Sequence, residues 1–111
     1  MNYLVQLKLA SRPASPQEGK IFIEQMILPT LELCKKLEAE KKIVAGGPVS
    51  GSIALSLIVS AESVQELDGL ITSLPVWPLM ETTVTPLATF DIRTQEVRTR
   101  LAQMTAQGGV R

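Results

Sequence analysis

The chain has 111 residues, 45% of them hydrophobic, and its eleven Lys and Arg balance eleven Asp and Glu. That length holds one core and not two, and the neutral balance offers no field to draw phosphate backbones or anionic lipid. The lack of histidine and the single cysteine, Cys34, exclude an internal disulfide and the usual zinc, copper and haem ligand sets. There is no signal-like N-terminus and no run of about 18 apolar residues, so the expectation is a cytoplasmic protein with no metal, no membrane span and no nucleic-acid partner.

From Asn2 to Ala10, Tyr3, Val5, Leu7 and Leu9 alternate with more polar neighbours, the period of a half-buried strand. Ser15-Pro16-Gln17-Glu18 then carries a helix start, with serine as N-cap, proline at the first helical position and glutamate to complete a capping box. The helix is predicted from about Pro16 to about Glu40, with a kink near Gln25 to Pro29 because a mid-helix proline removes one hydrogen bond and crowds a carbonyl. Its apolar residues, Ile21 to Leu37, cover more than the roughly 100° stripe that one sheet face needs, so a second surface is expected against it.

Next come "IVAGGPVSG" and "SIALSLIVS". The second alternates cleanly and is the firmest strand; Gly46-Gly47-Pro48 marks a bulge or bend at an edge, since proline cannot donate to a central ladder. A phosphate-cradling reading of those glycines fails for want of a lysine and a following helix. Ser60 is the expected cap of a second helix, Ala61 to about Thr72, which Pro75 stops. Glu81 to Phe90 reads as a last strand, at an edge or with a bulge because of Pro86. Asp91 to Gln107 reads as a final helix with a narrow stripe of Val97, Leu101 and Met104, ended by Gly108-Gly109.

The order βαββαβ plus a C-terminal helix predicts an α+β, ferredoxin-like fold: residues 1–90 form a four-stranded antiparallel sheet with two helices on one face, and 91–111 form an extension packing on a neighbouring subunit. Apolar residues on both faces of Ser52 to Ser60 predict that the bare sheet face is also covered, most simply by a second copy in a homodimer.

The stretch "SAESVQELDGLITSLPVWPLMETTVTPLA" resembles the second half of muconolactone delta-isomerases, most closely in Leu74-Pro75-x-Trp77-Pro78-x-Met80 and Val84-Thr85-Pro86-Leu87. The resemblance runs from about Gly51 to Leu87. It implies dimeric α+β barrels, assembling up to a decamer, and a cofactor-independent shift of a double bond in a small unsaturated lactone. It also implies a pocket closed by the Pro-aromatic-Pro-Met turn, with Trp77 and Met80 facing the ligand; the bland alternative is that Leu74, Trp77 and Met80 only plug the end of the core.

Proton transfer beside a carbonyl needs a base, and without histidine that base is a carboxylate, tyrosine or lysine. The resemblance implies a glutamate on the first helix, yet counting back from the matched stretch puts Thr30 at that place. Glu24 and Glu32 lie within about two turns of it; Glu32 is the preferred base because Pro29 can rotate the later turns. Tyr3, Thr30, Trp77, Met80 and Arg93 complete the candidate site, with arginine suited to a substrate carboxylate. The expected function is a cofactor-free, muconolactone isomerase-like protein with a small-molecule ligand. The alternatives are an inactive ligand-binding or scaffold protein of the same fold, and a cofactor-independent monooxygenase or decarboxylase of the dimeric α+β barrel group.

Overall fold

The computed structural model describes residues 1–106. Ten elements follow in order: β1 (Asn2–Leu9), α1 (Pro16–Phe22), a π-turn (Ile23–Ile27), α2 (Leu28–Ala39), β2 (Ile43–Pro48), β3 (Ala54–Ser60), α3 (Val64–Thr72), a 3-10 turn (Trp77–Leu79), β4 (Met80–Leu87) and α4 (Phe90–Ala106). The four strands form one antiparallel sheet in the order β2-β3-β1-β4. This is the expected split βαβ arrangement, and the strands holding Pro48 and Pro86 are its two edges, where a missing N–H breaks no central ladder.

Register sorts the sheet into two faces. Val5 lies beside Leu57 and Val84, and Leu7 beside Leu55 and Thr82; Tyr3, Val5, Leu7, Leu55, Leu57 and Val59 are buried together against Leu37, Leu67, Ile71 and Leu74. The opposite face carries Leu4, Gln6 and Lys8 beside Ile58, Ser56 and Ala54. Leu4, Ala54 and Ile58 are only partly covered there.

The long first helix departs from a simple kink. The Leu28 N–H donates to the Ile23 carbonyl, five residues back, immediately before Pro29. This widened turn takes up the irregularity that a proline inside a helix forces. The helix ends in a Schellman motif: the Lys42 N–H donates to the Leu37 carbonyl at 2.9 Å and the Lys41 N–H to the Glu38 carbonyl at 3.0 Å, with Lys41 at φ 62°.

Three boundaries differ from the sequence reading. The cap of the second helix is Ser63, not Ser60: Ser63 Oγ accepts from the Glu66 N–H at 3.1 Å, while Ser60 completes β3. The Glu66 carboxylate in turn accepts from the Glu62 N–H at 3.1 Å, one residue before the cap, and Glu18 does the same for Ala14 at 3.0 Å. The last strand stops at Leu87 and α4 starts at Phe90, whose first turn is held by Thr89 Oγ1 accepting from the Ile92 N–H. The expected Gly108-Gly109 stop lies outside the described residues.

Helix α4 contributes no buried residue to the domain. The molecule measures 69 × 29 × 23 Å with a radius of gyration of 19.5 Å, against about 13 Å for a compact chain of this size. A 17-residue helix is about 25 Å long, so its projection accounts for the elongation.

Candidate functional site

The stretch from Leu74 to Met80 closes one end of the core. Leu74 and Val76 are fully buried, the Trp77 N–H donates to the Leu74 carbonyl at 2.9 Å, and the Leu79 N–H to the Val76 carbonyl at 2.9 Å. Pro75 and Pro78 suit a chain that turns twice in so short a space, because each ring fixes one backbone angle. The plug is therefore Leu74 and Val76. Trp77 is 39% exposed.

Beside this plug lies an apolar cavity of about 170 Å³. Its helix wall is Ile27, Thr30 and Leu31, its sheet side includes Leu55 of β3 and Ile53 just before that strand, and Val76 and Met80 close it. Thr30 is the buried polar residue there, 2% exposed, and its Oγ1 accepts the Val76 N–H at 3.2 Å. That bond joins α2 to the plug across 46 positions. An apolar cavity of about 150 Å³ suffices for a benzene-sized ring, so the space fits one ring.

Leu31, Pro48 and Leu55 also border a second, larger space of about 340 Å³, so the two form one groove between α2 and the β2–β3 edge. The outer part is floored by Leu57 and Cys34 and bordered by Lys35, Glu38 and the Gly46-Gly47 backbone. Burial, and then the nearby Glu38 carboxylate, push the Cys34 thiol above its ordinary pKa; it stays a neutral thiol at pH 7. Gly46 shapes this edge: its φ is +101°, and an added Cβ would run into the Ser56 carbonyl oxygen. No other residue type fits so close to β3.

Of the seven site residues expected from sequence, Thr30 and Met80 meet in the cavity. Tyr3 is buried in the core at the far end of β1, beside Val59 and Pro86, with its hydroxyl donating to Met1 Sδ at 3.5 Å. Glu24 and Glu32 stand on the outer side of the first helix, their side chains 58% and 72% exposed, 3.9 Å from Lys20 Nζ and 3.6 Å from Lys35 Nζ. Arg93 is on α4, 3.4 Å from Glu96. Val76, Leu31 and Glu38 were not singled out from sequence; the spacing Ile27-Leu31-Cys34-Glu38 along one helix face was the available signal. Among the described residues, no cluster of three or more Cys, Asp or Glu is placed to hold a metal, and no helix is long and apolar enough to cross a membrane.

The split βαβ sheet, with an apolar cavity beneath its first helix, defines a ferredoxin-like α+β protein. The chain belongs to the muconolactone delta-isomerase family, whose model matches residues 1–92. Among solved structures it is similar to a muconolactone isomerase crystal structure, at 21% identity and a TM-score of 0.67, over 80% of this chain and 90% of that one. It is also similar to 5-chloro-2-hydroxyhydroquinone dehydrochlorinase (TftG) from Burkholderia phenoliruptrix AC1100 in complex with 2,5-dihydroxybenzoquinone, at 26% identity and a TM-score of 0.61, over 82% and 97%. A search of curated protein sequences finds no significant match.

Proposed function

We propose that this chain is a small-ring binding protein of the muconolactone isomerase family, taking a single unsaturated or quinonoid ring into the Thr30–Met80 cavity. A short substituent then lies along the groove towards Lys35. The observation that carries this reading is Thr30. It lines the cavity, and its hydroxyl oxygen is already engaged by the Val76 N–H, so it supports the pocket and is not a base. The ring class follows from the cavity volume and from the lactone and dihydroxybenzoquinone named for the two similar structures.

Family membership favours a second reading, proton-transfer isomerisation of a small lactone without a cofactor. Its base is a carboxylate brought to the groove from outside the cavity: Glu32 or Glu24 from a neighbouring copy. One experiment separates the two. Wild-type protein is titrated with muconolactone and with 2,5-dihydroxybenzoquinone, and proton exchange of the lactone is followed in deuterated buffer. Saturable binding that Leu31→Trp abolishes by filling the cavity, with no exchange, is the expected result. Exchange that Glu32→Gln lowers by about 10² to 10⁴, the range for a lost general base, replaces it with the isomerase reading. Absence of binding to both compounds overturns the ring-binding proposal.

The partly apolar outer face of the sheet supports a homodimer paired through Leu4, Ala54 and Ile58, in the manner of a dimeric α+β barrel.

A further inference from the structure

The Thr30 hydroxyl behaves unlike those of Thr72 and Thr105. These two donate to carbonyls four residues back, Asp68 at 2.8 Å and Leu101 at 3.0 Å, the common local bond of a threonine in a helix. Four residues back from Thr30 is Met26, inside the π-turn, whose wider winding breaks that register. The Thr30 hydroxyl accepts from the Val76 N–H and, among the described residues, donates to nothing. A hydroxyl has one proton to give, and at 2% exposure bulk water does not take it.

This donor sits on the wall of an otherwise apolar space. Ile27, Leu31, Leu55 and Val76 share that wall, and Met80 adds only a weakly accepting sulfur. The other hydroxyl on the lining, Ser52, is exposed and stands at the mouth beside Ile53, which is 40% exposed. The cavity therefore has a closed end at Thr30 and Val76 and an open end at Ser52 and Ile53. A buried donor without an acceptor is costly, and a ligand oxygen that meets it recovers that cost on binding. A hydrocarbon ring cannot.

We infer that the Thr30 hydroxyl determines which rings the cavity takes, by giving its proton to a carbonyl oxygen that the ring carries into the closed end. The Val76 N–H does not serve in its place, because it already donates to Thr30 Oγ1 at 3.2 Å. This inference rests on the ring-binding reading and adds to it the group that must be present and the end that enters first.

The test uses the intact chain and two flat rings of similar size: 4-pyranone, which has a carbonyl, and toluene, which has none. Each is titrated calorimetrically into wild type, Thr30→Val and Thr30→Ser, after circular dichroism confirms that the variants are folded. Thr30→Val puts a methyl where the oxygen was, so the freed Val76 N–H faces that methyl and not the ligand. It should weaken 4-pyranone about ten-fold, the effect of one lost buried hydrogen bond, and leave toluene unchanged, while Thr30→Ser keeps the preference. A second readout needs no variant: the infrared carbonyl stretch of 4-pyranone bound to wild type should lie below its position in an apolar solvent. Toluene binding without 4-pyranone binding, equal weakening of both rings by Thr30→Val, or an unshifted carbonyl stretch overturns the donor role while ring binding stands. Binding of neither ring to wild type overturns both.

Discussion

Thr30 ties the roof of the cavity to α2 through a single bond, from the Val76 N–H to Oγ1 at 3.2 Å, with both residues buried. Thr30→Val keeps the shape and deletes the acceptor, leaving a buried N–H unsatisfied. Chemical denaturation should show a loss of about 1 to 3 kcal/mol, whereas Thr30→Ser, which keeps the acceptor, costs about 1 kcal/mol for one methyl. Equal losses would mean that the bond contributes nothing. Cys34 gives a second test. Burial and Glu38 disfavour its thiolate, so the folded state holds the proton more tightly than the unfolded chain. The stability this adds is complete below the ordinary thiol pKa and is lost as pH rises through the raised one. Alkylation of Cys34 should therefore reach half its maximal rate at higher pH than a free thiol. Glu38→Gln should lower that midpoint only part of the way, because burial is the larger cause.

At the level of elements, β2 carries one unusual backbone angle inside it, at Gly46, and follows another, at Lys41. Gly46→Ala combines a φ of +101° with a Cβ against the Ser56 carbonyl, so the β2–β3 pairing must shift; a loss of at least about 2 kcal/mol is expected. Gly47→Ala meets nothing within 4 Å and should leave thermal unfolding nearly unchanged. Lys41, just before β2, holds a left-handed angle at the end of α2 without being glycine. Lys41→Gly relieves that conformation, which costs a side-chain-bearing residue roughly 1 kcal/mol or more, and should raise the midpoint of urea unfolding. An unchanged or lowered midpoint would count against the Schellman geometry.

For the whole molecule, what matters is how much apolar surface one chain leaves uncovered. The outer sheet face is one such surface, with Ile58 at its centre beside Leu4 and Ala45. Ile58→Lys places a charge there without entering the buried core of Val5, Leu57 and Val59. The variant should keep its secondary structure by circular dichroism and lose the sheet-paired dimer in light scattering. A mass equal to that of wild type would rule out pairing through this face.

The order and type of the elements were legible in the sequence because they rest on local periods: alternation in β1 and β3, helical spacing in α2 and α3, and prolines that confine β2 and β4 to edges. The Ser15 cap was legible for the same reason, as a short-range exchange of hydrogen bonds. Ser60 and Ser63 both precede the second helix, and only the pairing of Ser60 with Asn2 across the sheet decides that the later serine caps it. The cavity needed more. Thr30 and Val76 are 46 positions apart, and nothing local announces that they meet. Which side of the first helix faces inward depends on its phase, and the π-turn at Ile23–Ile27 resets that phase midway. Glu24 and Glu32, which the sequence left free to point either way, therefore face outward, while the cavity is lined by Ile27, Thr30 and Leu31. Long-range packing decided this, because a helix turns inward the side chains that the sheet can bury, and a salt-bridged carboxylate keeps more of its hydration outside.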